Sequence, residues 1–165
     1  MATARRSLSP GRRAWLRFRA NRRGYWSLWI FAVVFGLSLV AEVLSNDRPI
    51  VARYEGRLYW PLFRQYAETT FGGDFRTAAD YLDPFIRQRL SQDGNWAIYP
   101  PNPYRFDTIN YFAPSPNPAP PSAQNLLGTD DQGRDVLARL LYGFRISVLF
   151  GMALTAVGML FGIAA

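Results

Sequence analysis

The chain has 165 residues and a formal net charge of +7, from 19 basic and 12 acidic side chains. All of the basic residues are arginine, because lysine, histidine and cysteine are absent. This composition excludes catalysis by a histidine proton shuttle, a thiol nucleophile or a lysine Schiff base, and it excludes Cys/His metal sites. We therefore expect no catalytic residue, no metal site and no cofactor site in the chain.

The positive charge is concentrated at the start of the chain. Residues 1–23 hold eight arginines and no acid, whereas the other residues hold eleven arginines against twelve acids. We predict that residues 1–23 are a cytosolic arginine-rich tail. Such tails also bind nucleic acid, but the apolar run that follows favours membrane lipid as the partner and orientation of the chain as the role.

Residues 24–44 are uncharged apart from Glu42 and reach about 31 Å as a helix, close to the hydrocarbon thickness of a bilayer. Tyr25, Trp26 and Trp29 stand at the arginine end, where aromatic rings favour the headgroup level. The pattern predicts a first transmembrane helix, with a cleaved signal peptide as the weaker alternative. Glu42 is a candidate intramembrane acid that faces a substrate path, pairs with an arginine or reaches the interface.

Residues 45–126 are polar, aromatic and rich in proline, which predicts an external insert of α+β and irregular structure. A hairpin is predicted over 50–60, a short helix over 78–90 and a further strand over 96–99. Eight prolines fall within 100–121. They predict an extended strap over neighbouring structure, with a proline-rich docking segment as the alternative.

Residues 127–145 read as an amphipathic helix at a membrane surface or against partner helices. Thr129, followed three residues later by a glutamine, has the form of a capping box and predicts the helix start. Asp135 and Arg139 stand four apart, the spacing of a stabilising ion pair on one helix face. Gly143 is expected to let the helix turn.

Residues 146–165 form a second uncharged run of about 30 Å as a helix, which predicts a second transmembrane helix. Gly158 and Gly162 have the spacing of a helix-packing motif. The run stops at the last residue, so we expect the chain to be a fragment of a longer protein. The arginine tail predicts a multi-pass protein with a cytoplasmic N-terminus and residues 45–145 outside.

The run over 127–151 resembles the signature of C-type permease subunits in peptide ABC importers of the oligopeptide and dipeptide class. Ala138 and Val148 depart from the residues usual in that signature. The matching residues are Gly128, Thr129, Asp130, Gly133, Arg134, Asp135, Arg139, Gly143, Arg145 and Ser147. We expect these residues to act in structure and gating, with Arg134 and Asp135 fixing the helix to a partner.

The stretches FRANRRGYWSLWIF, LSNDRPIVARYEGRLYWPLF and ADYLDPFIRQRL extend the resemblance over essentially the whole chain, toward Yej-type permeases of peptide and microcin C import. The resemblance implies an α-helical polytopic inner-membrane protein of about six spans that is a transporter subunit and not an enzyme. It also implies that a separate ATPase binds ATP and Mg. The other implied partners are a second homologous permease and a periplasmic peptide-binding protein, with no nucleic acid.

A different class of protein fits the same pattern of two apolar runs around an insert. This alternative is a two-span, membrane-anchored envelope protein that acts in interaction or assembly through its external domain. A reading frame that continues past residue 165 into further spans favours the permease.

Overall fold

The computed structural model describes residues 9–109, 111 and 115–164. The chain divides into two compact units, residues 1–37 and residues 38–165. Within the described part of the first unit lie helix α1 (Pro10–Ala20) and most of helix α2 (Arg22–Leu39). The described part of the predicted arginine tail, residues 9–23, is therefore largely helical.

Helix α2 ends earlier than the predicted first span. The backbone leaves helical geometry at Val40 (φ −105°, ψ 27°) and resumes in the four-residue helix α3 (Ala41–Leu44). The prediction of one continuous helix over 24–44 is thus wrong at its outer end. The break precedes Ser45, which pairs in a parallel bridge with Asn102.

Three short strands form the sheet of the insert. They are β1 (Val51–Tyr54), β2 (Arg57–Tyr59) and β3 (Trp96–Ile98), all antiparallel and in the order β2-β1-β3. Strands β1 and β2 form a hairpin in the interval 50–60, where the sequence predicts one. Glu55 and Gly56 at its turn have φ of 49° and 76°, the positive values that such two-residue turns need.

Aromatic side chains dominate the core of the insert. Phe71, at the end of a 3-10 helix (Glu68–Phe71), is fully buried. Its ring packs edge-on against Tyr54, Tyr59 and Tyr81, with centroid distances of 5.6, 5.4 and 5.6 Å. Edge-on contacts between rings stabilise the core beyond the burial of their apolar area, so this small core is stable with few aliphatic residues.

The helix predicted over 78–90 is shorter in the structure, where α4 covers Pro84–Arg89. Pro84 opens it, because proline suits the first turn of a helix and not its interior. The carboxylate of Asp83 accepts a hydrogen bond from the backbone N–H of Phe85 and caps the helix. Asp80 accepts from the N–H of Leu82 in the preceding turn.

One helix, α5 (Val136–Ala164), takes in residues 136–145 of the predicted amphipathic helix and continues through the predicted second span as far as residue 164. Residues 127–135 are not part of it. No turn occurs at Gly143, because the residue lies inside the helix and the ladder of hydrogen bonds continues through it. In the described chain, α5 is the one helix that is long and apolar enough to cross a membrane. Helix α2 is shorter and begins with two arginines.

The predicted strap over 100–121 is only partly described, because residues 110 and 112–114 lie outside the described residues. Its described residues form no helix and no regular strand. Asn102 and Ile109 form isolated bridges with Ser45 and Arg134. These contacts place parts of the segment beside α3 and beside the loop that precedes α5.

Replacing Phe71 by alanine should destabilise the insert by about 3–5 kcal/mol, since it removes a fully buried ring and leaves a cavity among tyrosines. Thermal unfolding of the full chain in detergent, followed by near-ultraviolet circular dichroism, measures the effect. Phe63→Ala is the matched control, because that ring is 79% exposed. Equal melting temperatures for the two variants would contradict the assignment of Phe71 to the core.

Candidate functional site

A buried carboxylate stands at the start of α5. Asp135 has no exposed surface. Its Oδ1 accepts hydrogen bonds from Nδ2 of Asn102 at 2.9 Å and from the backbone N–H of Ala138 at 2.7 Å. Its Oδ2 accepts from Nδ2 of Asn125 at 2.9 Å. Asp135 therefore caps α5 and also holds two amide side chains from distant parts of the insert.

The same amide of Asn102 reaches the end of α3. Its Nδ2 also donates to Oγ of Ser45 at 3.0 Å, and that hydroxyl donates to the carbonyl of Tyr104 at 2.7 Å. The hydroxyl of Tyr142, two turns into α5, donates to the carbonyl of Ser45 at 2.9 Å. We call Ser45, Asn102, Asn125, Asp135 and Tyr142 the clamp, because they join the end of α3, the proline-rich segment and α5.

Two predictions for this region, the helix start at Thr129 and its capping box, are wrong. Helix α5 begins at Val136, with Asp135 as its cap. The hydroxyl of Thr129 instead donates to Oδ1 of Asn117 and accepts from the N–H of Ala119. The threonine thus fastens the loop to the proline-rich segment.

The loop before α5 is closed around Asp130. Its Oδ1 accepts from the backbone N–H groups of Gln132 at 2.9 Å and Arg134 at 2.8 Å. Its Oδ2 accepts from Nε of Arg134 at 2.8 Å and from Nη1 of Arg139. The expected pair of Asp135 with Arg139 is therefore wrong, because Asp135 is taken up by amide donors and Arg139 turns to Asp130.

Hydrogen bonds control the charge of Asp130. Burial alone would raise the pKa of its carboxyl, but the backbone and side-chain bonds from Arg134 and the N–H of Gln132 outweigh it. The pKa of Asp130 is held below its ordinary value. The carboxylate is thus ionised at neutral pH and links the loop to the first turn of α5.

Two glycines of the loop are required by its geometry. Gly128 has φ of 76°, and a Cβ there would lie 2.4 Å from the carbonyl oxygen of Ala119. Gly133 has φ of 79°, and a Cβ would lie 2.6 Å from Nδ2 of Asn117. Both positions combine a left-handed backbone with close approach of the proline-rich segment, so a side chain would push that segment away.

Glu42 pairs with Arg145 across a sequence distance of 103 residues. Nη1 of Arg145 lies 2.8 Å from Oε1 and 2.9 Å from Oε2 of Glu42. The guanidinium also stacks on the ring of Tyr142 at 5.1 Å. Both charged residues line a cavity of about 290 Å³ together with Arg48 and Arg105. Of the three roles considered for Glu42, pairing with an arginine is observed.

The structure does not gather every signature residue at one place. Gly143, Ser147, Gly158 and Gly162 lie along α5 and are exposed in this chain. At the three glycines, no neighbouring atom lies within 4 Å of the position that a Cβ would take. The packing role of Gly158 and Gly162 stays a prediction that concerns partner helices. Within the described ranges, no group of three or more acidic side chains is placed to hold a metal ion.

The family model for the N-terminal TM domain of oligopeptide transport permease C matches residues 9–56. The inner membrane ABC transporter permease protein YejE of Escherichia coli K12 is 53% identical over 159 residues, covering 96% of this chain and 46% of that protein. The chain belongs to the C-type permeases of peptide ABC transporters and is close to YejE.

Two further relatives mark the extent of the similarity. The peptidoglycan transport system permease protein YejE of Agrobacterium fabrum is 43% identical over 178 residues, covering 93% of this chain and 46% of that protein. The dipeptide transport system permease protein DppC of Escherichia coli K12 is 49% identical over 57 residues, 34% of this chain and 19% of that protein. The chain spans about half the length of the YejE relatives it matches. No solved structure matches the chain.

All three relatives are named as permease proteins of transport systems. The protein is a membrane protein with an N-terminal transmembrane domain, and the structure adds an insert of short helices and a three-stranded sheet. Its site is accordingly a set of contacts that hold elements together.

Sequence reasoning misses most of the clamp of this C-type permease. Ser45, Asn102 and Asn125 carry no pattern that marks them, because each acts through long-range hydrogen bonds. Tyr142 lies within the signature run, but its position in an apolar stripe indicates packing and hides the hydroxyl's role. Asn117 is missed for the same reason as the other asparagines.

Asp135→Ala should destabilise the permease chain by about 3 kcal/mol or more, since it removes a helix cap and leaves two buried amides without their acceptor. Thermal unfolding in detergent measures the loss, and hydrogen exchange at residues 136–139 should rise. Asp131→Ala is the control, because that neighbouring carboxylate is exposed. Unchanged exchange in Asp135→Ala would contradict the capping role.

Protonation of Asp130 should lower the stability of the permease chain in acid. Its pKa in the folded chain lies below the unfolded value of about 3.9, so its contribution is complete above that value and is lost as the pH falls through the folded pKa. Melting temperatures between about pH 6 and pH 2 test this. The wild type should lose more stability over this range than Asp130→Asn, while Asp131→Asn should follow the wild type. Parallel curves for wild type and Asp130→Asn would contradict the assignment.

Proposed function

We propose that the full-length protein is a transmembrane permease subunit of an ABC importer for peptides in the bacterial inner membrane. The observation that carries this proposal is the 53% identity to an inner membrane ABC transporter permease over 96% of the chain. The peptide class rests on the oligopeptide and dipeptide permeases among the matches. Import of microcin C, implied by the Yej-type resemblance, stays a prediction.

The proposed topology has α2 as the first span and the apolar part of α5 as the second. Helix α5 is about 43 Å long, more than a bilayer core needs, but the stretch after Arg145 is uncharged and reaches about 28 Å. The turns before it then project beyond the membrane. The eight arginines of residues 1–23 favour a cytoplasmic N-terminus, with residues 45–145 in the periplasm.

In this topology the clamp and the pair of Glu42 with Arg145 lie at the outer surface of the membrane. They tie the periplasmic insert to the first turns of α5. A rigid link of this kind lets a protein that docks on the insert move α5, or lets a movement of α5 change the insert. A periplasmic peptide-binding protein is the partner that an importer requires at this face.

Two further kinds of partner are expected, an ATPase subunit and the transmembrane helices that pack against α5. The sequence contains no phosphate-binding P-loop, so ATP and Mg are expected on a separate ATPase subunit. The apolar surface of α5 beyond Arg145 is exposed in this chain. Further helices of the same protein and a second homologous permease are expected to cover it, with the exposed glycines allowing close approach.

Deletion of the full-length gene in its own bacterium tests the proposal. Uptake of a labelled oligopeptide should fall to background, and the plasmid-borne gene should restore it. An epitope-tagged protein should also copurify with an ATPase subunit. Normal peptide uptake together with an altered cell envelope would overturn the proposal and favour the two-span envelope protein.

The same assay tests the ion pair at the outer end of α5. Glu42→Arg places two guanidinium groups side by side and should lower uptake, whereas the double variant Glu42→Arg, Arg145→Glu restores opposite charges and should recover part of it. Glu55→Gln is the control, because Glu55 lies in the exposed hairpin turn. Equal uptake by all variants would show that the pair has no part in transport.

A further inference from the structure

The arginine-rich tail, residues 1–23, contains a helix with one aromatic face. In α1, the rings of Trp15 and Phe18 lie 5.8 Å apart, which places them on the same side of the helix. Trp15 is half exposed in the chain. Arg13 and Arg17, four residues apart, lie on the opposite side of the helix, and Arg12 and Arg19 fall on its flanks.

The corner between α1 and α2 is held by one asparagine. The backbone N–H of Asn21 donates to the carbonyls of Arg17 and Phe18, which ends α1. Its side-chain Oδ1 accepts from the N–H of Gly24, and its carbonyl accepts from the N–H of Tyr25. Asn21 therefore caps the end of one helix and the start of the next, and the junction is a built turn.

Packing across the corner supports the same conclusion. The ring of Phe18 lies over Gly24, where a Cβ would be 3.5 Å from Cε2 of the ring. Its centroid lies 6.4 Å from that of Tyr25, and Tyr25 in turn lies 6.2 Å from Trp26 and from Trp29. The aromatic face of α1 thus runs into the aromatic cluster at the start of α2.

We propose that α1 lies in the plane of the membrane at its cytoplasmic surface, with Trp15 and Phe18 in the acyl region and its arginines bound to lipid phosphates. Aromatic side chains at the headgroup level and arginines that extend to phosphates are the features of interfacial helices. The absence of any acid in residues 1–23 makes anionic lipid the complementary partner. This placement rests on the proposed function, because it takes α2 as a membrane span.

The absence of cysteine allows a direct test in the full chain. Single cysteines are introduced at Gly11, Trp15, Arg13 and Arg17, one per variant, and labelled with an environment-sensitive fluorophore. The Gly11 variant has room for the label, because no atom lies within 4 Å of a Cβ there. Labels at Val33 in α2 and at the exposed Phe63 in the insert serve as references for the membrane interior and for water.

The labelled chains are reconstituted into vesicles of phosphatidylcholine alone or with phosphatidylglycerol. In the anionic vesicles, labels at positions 11 and 15 should be quenched by lipid-borne nitroxide, like the label at 33. Labels at 13 and 17 should be quenched by aqueous iodide, like the label at 63. Each Arg→Gln substitution in α1 should lower the ratio of membrane-bound to unbound α1 about fivefold. This factor corresponds to about 1 kcal/mol of binding free energy per charge. Arg53→Gln with Arg57→Gln, in the exposed hairpin, should leave this ratio unchanged.

The references separate failure of this inference from failure of the proposed function. If all four α1 labels are quenched by iodide in both vesicles while position 33 stays in lipid, α1 is not interfacial and the proposed function stands. If the label at position 33 is itself quenched by iodide, α2 is not a membrane span, and both the interfacial position of α1 and the proposed function are overturned. Protection of the α1 labels by added RNA but not by anionic lipid would identify nucleic acid as the partner and overturn the inference.

Discussion

The attachment of the insert to α5 depends on the side chain of Asp135, which has no exposed surface. A polar side chain in that position is tolerated only when hydrogen-bond partners satisfy it, and the carboxyl oxygens of Asp135 accept three hydrogen bonds. The donors come from the first turn of α5, from the proline-rich segment and from the loop at Asn125. A segment rich in proline lacks backbone donors for a regular strand, so side-chain amides fasten it instead. The hydrogen bonds that satisfy this one buried side chain therefore join the insert to the start of α5.

Among the described residues, the polar contacts that attach α5 to the insert and to α3 lie in its first three turns. Asp135 and Arg139 are bound through the clamp and through Asp130, and Tyr142 and Arg145 are bound to Ser45 and Glu42. After Arg145, the exposed helix carries only apolar and small residues. One helix thus has an end that belongs to the insert and a longer part that is available to a membrane and to other helices. In the proposed topology, this continuous helix connects the periplasmic insert directly to a membrane span.

Structure that depends on local sequence patterns can be predicted from the sequence, whereas contacts between residues far apart in the chain cannot. The hairpin and the apolar helix after Arg145 follow from alternation, turn residues and length, and the structure has both. The predicted start of α5 is too early, because Thr129 and Gln132 have capping-box spacing, whereas Asp135, six residues after Thr129, makes the cap. Helix α1 is missed because four of its eleven residues are arginine, and a cluster of like charges indicates a solvated tail. The clamp joins residues up to 97 positions apart, as from Ser45 to Tyr142, and no periodicity encodes such a pair.

The exclusive use of arginine has a physical meaning in both parts of the chain. A guanidinium group is planar and offers several donors, so it can stack on a ring and bond to an oxygen at the same time, which an ammonium group does poorly. In the insert and the first turns of α5, three guanidinium groups stack on aromatic rings at centroid distances of 5.3, 5.0 and 5.1 Å: Arg87 on Tyr99, Arg105 on Phe106 and Arg145 on Tyr142. Aromatic rings are also the main apolar groups beside the arginines of the arginine-rich tail. The same pairing of arginine with aromatic side chains therefore packs the insert and, at the other end of α2, suits a surface where acyl chains meet phosphates.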